Sequence, residues 1–173
     1  MIAYLGLGSN LGDRVRHLQA AVNYIDLRVG SVLRISRVYE TAPLYRMDQP
    51  WFLNVVLEVK TRLAPLDLLR LLKLIEKEMG RSSSERYTPR VIDIDILAVC
   101  EEQGKGMVSL KSDELVLPHL GLTERRFVLE PLIELAPDLV VNGIPVKEWL
   151  GRKEIQEQEV RCMENVLLSV HSD

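Results

Sequence analysis

Cysteine, aromatic residues and long apolar runs are all scarce in this chain. Its 173 residues include only two cysteines, Cys100 and Cys162, and neither has a nearby His or Cys that would indicate a metal site or a nucleophile. No apolar run reaches the roughly 18 residues that a membrane span needs. The N-terminal residues also lack the pattern of a signal peptide. We therefore expect a cytoplasmic protein with free thiols and no membrane contact.

An excess of positive charge is absent as well. The chain has 22 Lys and Arg against 25 Asp and Glu, a net charge of −3, and a general nucleic-acid binder is usually basic. The remaining composition, 47% hydrophobic and 27% charged, is ordinary for a globular protein. We expect one domain over residues 1–173, a monomer, with a charged tail over residues 151–173 whose structure the pattern does not define.

The hydrophobic pattern predicts four main strands and two main helices in the order strand, helix, strand, strand, helix, strand. The predicted strands are Ile2 to Gly8, Ser31 to Thr41, Trp51 to Thr61 and Pro89 to Leu97. The first predicted helix follows Asp13, and the second runs from Pro65 to Met79. This order is the split βαβ, ferredoxin-like arrangement, an α+β fold with an antiparallel sheet and helices on one face. C-terminal additions around residues 126–135 and 144–150 would cover the other face or leave it for binding.

The N-terminal glycines do not form a known nucleotide-binding motif. "GLGSNLG" spaces Gly6, Gly8 and Gly12 one residue too widely for the dinucleotide fingerprint, and the chain has no P-loop sequence. The glycines therefore indicate a tight turn from strand to helix, where the backbone can lie close to a ligand.

The last predicted strand carries two acidic residues in an apolar sequence, "PRVIDIDIL". Asp93 and Asp95 project from the same face because side chains alternate along a strand. On an edge strand they could simply face water and oppose aggregation. Several arginines lie nearby in sequence, and carboxylates with guanidiniums suit a magnesium–polyphosphate complex; they are Arg81, Arg86, Arg90, Arg125 and Arg126.

Three further residues suggest a flat polar ligand. Asn54 interrupts an apolar strand and shares a face with Phe52, so an aromatic ring lies beside an amide. Phe127, the only other phenylalanine, could supply a second ring. A satisfied structural amide and core aromatics are the simpler alternatives. His119, after Pro118, could donate to phosphate or serve as a buried structural residue.

Together these segments resemble the 6-hydroxymethyl-7,8-dihydropterin pyrophosphokinases of folate synthesis. The resemblance covers roughly Ala3 to Leu150 and depends on "YLGLGSNLGD", "YETAPL", "DQPWFLN", "IEKEMGR", "PRVIDIDIL", "LPH" and "RRFVLEPLIELAPDL". It implies a ferredoxin-like fold and transfer of the β,γ-pyrophosphoryl group of ATP to the hydroxymethyl group of the pterin, with release of AMP.

The resemblance also implies a role for particular residues. The residues expected to act in catalysis are Arg81, Arg90, Asp93 and Asp95, of which Asp93 and Asp95 would bind two Mg²⁺ ions. The residues expected to line the pterin pocket are Gly8, Thr41, Pro43, Leu44, Phe52, Asn54 and Phe127. The residues expected to contact ATP are Glu76, Arg81, Tyr87, Arg90, Ile96, His119 and Arg125.

The chain departs from the family pattern in four places. Ser82 to Ser84 replace a stretch that often carries basic residues, and Tyr87, Thr88 and Leu120 replace a usual Trp, a small residue and Tyr. With fewer cations near the phosphates, we expect weaker ATP binding than in a more arginine-rich relative. A nucleotide titration would show this, and equal or tighter binding would contradict it.

Two other functions stay open at this point. One is a Mg²⁺-dependent phosphodiesterase or nuclease, which would need a basic groove lined with aromatic residues that this acidic chain does not suggest. The other is a ligand-binding regulatory module on the same fold, in which the aspartates are surface charges. The second predicts no binding of Mg²⁺–ATP.

Overall fold

The structure is a computed structural model that describes residues 1–43, 48–80, 90–102 and 106–170. In chain order the first half of its elements are β1 (Ile2–Ser9), α1 (Arg14–Arg28), β2 (Ser31–Ile35), β3 (Tyr39–Thr41), β4 (Phe52–Lys60), α2 (Pro65–Glu78) and β5 (Asp93–Cys100). The second half are β6 (Leu110–Lys111), β7 (Val116–Leu117), α3 (Arg126–Leu135), β8 (Val140–Val141), β9 (Ile144–Pro145), α4 (Val146–Leu150), α5 (Lys153–Gln156) and β10 (Val160–Cys162).

One antiparallel sheet organises the molecule. Its strand order is β10-β3-β4-β1-β5, and β2 also pairs with β4. The first strand thus lies between the third and fourth of the predicted strands, which is the split βαβ arrangement. The predicted α+β, ferredoxin-like fold is confirmed, and β5, which carries the two aspartates, lies at the end of this strand order.

The two main helices begin where the sequence predicts. The Asp13 carboxylate accepts a hydrogen bond of 3.2 Å from the Arg16 N–H, the N-cap contact that satisfies a free donor of the first turn. Pro65 begins α2, where its missing N–H costs nothing. Each helix then presents an apolar side to the sheet, with Leu18, Ala21, Val22 and Ile25 in α1 and Leu68, Leu72 and Ile75 in α2.

The sheet has an apolar core on each face. On one face α1 and α2 pack against alternate residues of the strands, including Leu5, Leu7, Val55, Leu57 and Ile94. On the other face α3, α4 and α5 pack against Tyr4, Val56, Leu97 and Ala98. The C-terminal additions thus cover part of the second face, and the remainder holds the candidate site.

The predicted strand from Ser31 to Thr41 is wrong as a single element. Ile35 pairs with Leu57 whereas Tyr39 pairs with Asn54, so four steps on one strand match three on the other. The extra residue interrupts the ladder, and the hydroxyl of Ser36 accepts the Val56 N–H at 2.9 Å. The result is two short strands, β2 and β3.

The tail after Gly151, which the sequence pattern left undefined, contains α5 and the edge strand β10. Ile155 of α5 is buried against the second core, and β10 pairs with β3. In the parts of the chain that the structure describes, no helix is long and apolar enough to cross a bilayer.

Candidate active site

A row of paired residues crosses the sheet and defines the site. Tyr39 of β3 pairs with Asn54 of β4, Asn54 pairs with Gly8 of β1, and Gly8 pairs with Asp93 of β5. Paired residues of antiparallel strands share a face. The row therefore places the predicted pterin-reading amide and the predicted metal carboxylate on one surface with only a glycine between them.

Glycines lie opposite both aspartates. Gly8 pairs with Asp93 and Gly6 pairs with Asp95, so no neighbouring side chain on β1 fills the space beside either carboxylate. The Asp95 side chain is 43% exposed. A Cβ at Gly6 would meet Leu97 at 3.3 Å, tighter than an ordinary contact. The sequence analysis placed Gly8 but not Gly6 among the expected pocket residues, although the spacing of two between these glycines matches the spacing of the aspartates.

The predicted pterin pocket is brought together around Asn54. The Asn54 amide is buried and donates a 2.7 Å hydrogen bond to the hydroxyl of Thr41, which is buried as well. A Cβ placed on Gly8 would lie 2.9 Å from Asn54 Oδ1 and 3.5 Å from Phe52 Cδ1. A side chain at this position would therefore force the Asn54 amide to shift, and the four residues Gly8, Thr41, Phe52 and Asn54 form one cluster.

The helix α3 lies beside this cluster, against β3 and β4. The hydroxyl of Tyr39, in the row described above, donates to Glu134 of α3 at 3.1 Å. At the other end of α3, the Arg125 guanidinium is 5.9 Å from the centre of the half-buried Phe127 ring. The sheet and the first turn of α3 thus supply different parts of the predicted pocket.

His119 is held close to the aspartates in a defined tautomer. Its Nδ1 accepts the Gly121 N–H at 3.0 Å, so in the neutral ring Nε2 carries the proton. That Nε2 lies 3.9 Å from Asp95 Oδ2. Burial, and then the charge of Arg125, lowers the pKa of His119, against the opposing charge of Asp93. His119 is thus a neutral N–H donor aimed at the carboxylate side of the site.

We expect His119 to titrate below its ordinary pKa of 6.5 in the free protein. Because the unfolded chain binds this proton more readily than the folded chain, the free energy of unfolding decreases as the pH falls. The contribution of His119 is fully present above pH 6.5 and is lost as the pH falls through the pKa of the folded state. A pH titration of the imidazole NMR signals would measure the pKa of His119, and a His119→Gln variant would identify which signal belongs to it. A pKa of 6.5 or higher would contradict the prediction.

Glu76 and Arg90 secure the start of β5. Glu76 is 3% exposed, and its Oε1 accepts the Ile94 N–H at 2.8 Å, between the two aspartates. This contact satisfies a backbone N–H on the side of β5 that faces away from β1, and the contact of Glu76 with ATP stays a prediction. The backbone of Arg90 is fixed by Asn10, which donates its N–H to Arg90 O at 3.0 Å and accepts the Arg90 N–H on Oδ1 at 2.6 Å.

Asn10 is a residue that sequence reasoning missed. It is 1% exposed, and besides its contacts to Arg90 its Nδ2 donates to Pro50 O at 3.2 Å and to Gln49 Oε1 at 3.3 Å. One side chain at the end of β1 therefore joins the segments that enter β4 and β5. The signal available in the sequence was an asparagine directly after an apolar strand, in "GSN".

The other predicted site residues divide into three groups. Pro43 is buried beside Thr41 in the chain. The Ile96 side chain is 2% exposed and packs in the core with α1 and α2, on the opposite face from the aspartates, so the expected contact with ATP would have to come from its backbone. Leu44, Arg81 and Tyr87 lie outside the described residues.

The described residues contain no cluster of three or more His, Cys, Asp and Glu side chains arranged to hold a metal ion. The acidic donors at this site are the pair Asp93 and Asp95. Such a pair fits Mg²⁺ with a phosphate-bearing ligand, since Mg²⁺ usually takes one or two carboxylates and completes its shell with water and phosphate oxygens.

Comparison with known proteins identifies the family to which the chain is similar. The model of the family 7,8-dihydro-6-hydroxymethylpterin-pyrophosphokinase matches residues 4–137. A 2-amino-4-hydroxy-6-hydroxymethyldihydropteridine pyrophosphokinase of Methylorubrum extorquens is 44% identical over 151 residues, which cover 87% of this chain and 92% of that protein. The protein of the same name from Bacillus subtilis is 42% identical over 135 residues, 78% of this chain and 77% of its own length.

Longer proteins contain a similar segment. The folic acid synthesis protein fol1 of Schizosaccharomyces pombe is 46% identical over 154 residues, and the chain spans only 20% of its length. A crystal structure of the Plasmodium falciparum HPPK-DHPS protein superimposes with a TM-score of 0.64 over 86% of this chain and 42% of that one. At 19% identity this structural match supports the fold alone.

The chain belongs to the 7,8-dihydro-6-hydroxymethylpterin-pyrophosphokinase family. The predictions of an enzyme, of the pyrophosphokinase class and of a function in folate synthesis are confirmed.

Proposed function

We propose that this chain transfers the pyrophosphoryl group of ATP to 6-hydroxymethyl-7,8-dihydropterin, and that it does so on the sheet surface between Asn54 and Asp95. The observation that carries the proposal is the row in which Gly8 alone separates Asn54 from Asp93. A subsite for a flat amide-bearing ring and a carboxylate pair for metal-bound phosphates are therefore neighbours.

The dimensions of the sheet support this pairing of subsites. Neighbouring strands lie about 4.8 Å apart, so side chains two strands apart are separated by roughly 10 Å. This is the scale of a two-ring heterocycle with a short side arm. A pterin bound at Asn54 and stacked on Phe52 would therefore bring its hydroxymethyl group beside Asp93, with Phe127 as the second ring of the clamp.

The charged side chains suit the phosphate end of the reaction. Mg²⁺ held by Asp93 and Asp95 would supply charge neutralisation for the polyphosphate. His119 presents a neutral Nε2–H on the same side. Arg90 and Arg125 would add guanidinium donors to phosphate oxygens. Catalysis in this arrangement is mainly positioning and electrostatic stabilisation. A single-domain monomer in the cytoplasm with two Mg²⁺ per ATP completes the proposal.

Nucleotide chromatography after incubation with ATP, Mg²⁺ and 6-hydroxymethyl-7,8-dihydropterin tests the proposal. We expect AMP, formed only when the pterin is present and only with a divalent metal. ADP in place of AMP would mean transfer of a single phosphoryl group. Absence of turnover by folded protein would favour the ligand-binding module instead.

A further inference from the structure

The two walls of the proposed pterin pocket belong to segments far apart in the chain. Thr41 ends β3, whereas Phe127 lies in the first turn of α3. Residues 156–162, here called the tail segment, contact both β3 and the start of α3. The tail segment lies beyond residue 137, where the match to the family model ends.

On one side the tail segment completes the sheet at β3. Val160 pairs with Thr41 and Cys162 pairs with Tyr39. The Ala42 N–H donates to Glu159 O at 3.4 Å, which continues the contact past the end of β3. The Arg161 guanidinium also lies 4.7 Å from the centre of the Trp51 ring, on the segment that enters β4. The tail thus supports the wall that carries Thr41.

On the other side the tail segment caps α3. The residue before the helix, Arg125, makes no side-chain cap contact, so the first N–H groups of α3 need an external acceptor. Gln158 provides one, because its Oε1 accepts the Arg126 N–H at 2.9 Å while its Nε2 donates to Glu124 O at 2.7 Å. Arg126 Nη1 in turn donates to Gln156 O at 3.0 Å and Gln158 O at 2.9 Å.

We propose that Gln158 is a positioning residue for pterin binding: by capping α3 from the tail segment, it sets Phe127 at a fixed distance from Thr41 and Asn54. The inference deepens the proposed function and depends on it. Gln158 itself touches no reacting group. It acts through the two backbone positions that flank Arg125, and Phe127 follows directly in the chain. Loss of the cap would loosen one ring of the clamp and leave the carboxylate pair intact.

The test compares Gln158→Ala with Gln156→Ala in the full chain. Gln156 is an exposed tail glutamine whose side chain donates to Leu150 O, and its contact with Arg126 is made by the backbone, which alanine retains. The measurements are the pterin dissociation constant by calorimetry with Mg²⁺ and a non-hydrolysable ATP analogue, KM and kcat for AMP formation, and the Tm of each variant.

We expect Gln158→Ala to raise the pterin dissociation constant and the pterin KM about three- to tenfold, with kcat within about twofold at saturating pterin. Gln156→Ala should match the parent. Gln158→Glu keeps the acceptor for the Arg126 N–H but loses the donor to Glu124 O, so it should recover only part of the affinity. Pterin affinity of Gln158→Ala within twofold of the Gln156→Ala control, even with a lower Tm, would overturn the inference. Failure of the parent protein to form AMP would instead overturn the proposed function.

Discussion

Asp95→Asn is expected to slow AMP formation about a hundred- to thousandfold, which corresponds to about 3–4 kcal/mol of transition-state stabilisation. Asparagine keeps the shape of the side chain and removes the charge that would hold Mg²⁺ against the polyphosphate. Asp95 is partly exposed and faces Gly6, so the change should leave the core unaltered. Steady-state rates over a Mg²⁺ titration would measure the loss, and the apparent Mg²⁺ requirement should rise.

The matched control is Asp138→Asn. The Asp138 carboxylate is 81% exposed and pairs with Lys147 on the surface, so the same chemical change there should leave the rate within about twofold. Equal rates for the Asp95 and Asp138 variants would mean that the carboxylate pair on β5 is a surface feature and that the metal site lies elsewhere.

Gly8→Ala is expected to weaken pterin binding about tenfold or more while leaving ATP binding close to that of the parent. The added Cβ would lie 2.9 Å from Asn54 Oδ1, so the amide must move. Movement breaks the 2.7 Å bond from Asn54 to Thr41 in a buried setting, and a buried polar group without its partner costs about 1–3 kcal/mol. Calorimetric titrations with pterin and, separately, with Mg²⁺–ATP would separate the two effects.

A suitable control for that variant is Gly151→Ala. A Cβ at Gly151 would meet its nearest neighbour, Glu148 O, at 3.5 Å, an ordinary contact distance. Its affinities should equal those of the parent. If Gly8→Ala bound pterin as tightly as the parent, the ring would lie away from Asn54, and the assignment of the pocket would be wrong.

The spacing of residues within one strand was enough to predict which of the candidate site residues share a face. Alternation put Asp93 with Asp95 and Phe52 with Asn54, and the structure retains both pairs because a strand side chain cannot change face without a bulge. The same alternation puts Ile96 on the other face, where the structure places it.

The bulge after Ile35 could not be predicted in this way. Residues 31–41 alternate well enough to form one strand, and the break coincides with a contact between the Ser36 hydroxyl and the backbone N–H of Val56, 20 residues away. The pattern of residues within one segment cannot predict a hydrogen-bond partner that is distant in sequence. The tail is similar, because a three-residue strand such as β10 is stabilised by β3 and has little signal of its own.

The order of the main strands and helices, the starts of the two main helices and the shared face of the two aspartates followed from the sequence, since these features depend on periodicity and on caps within a few residues. The tertiary structure set the register between β1 and β5, which puts Gly6 and Gly8 opposite the aspartates. The tertiary structure also showed that Asn10 contacts the segments that precede β4 and β5, including Arg90, 80 residues away in sequence. It showed that Gln158 caps α3 by a contact with Arg126, 32 residues away. Hydrogen bonds of this kind form only when folding brings distant backbone groups together, so no local pattern encodes them.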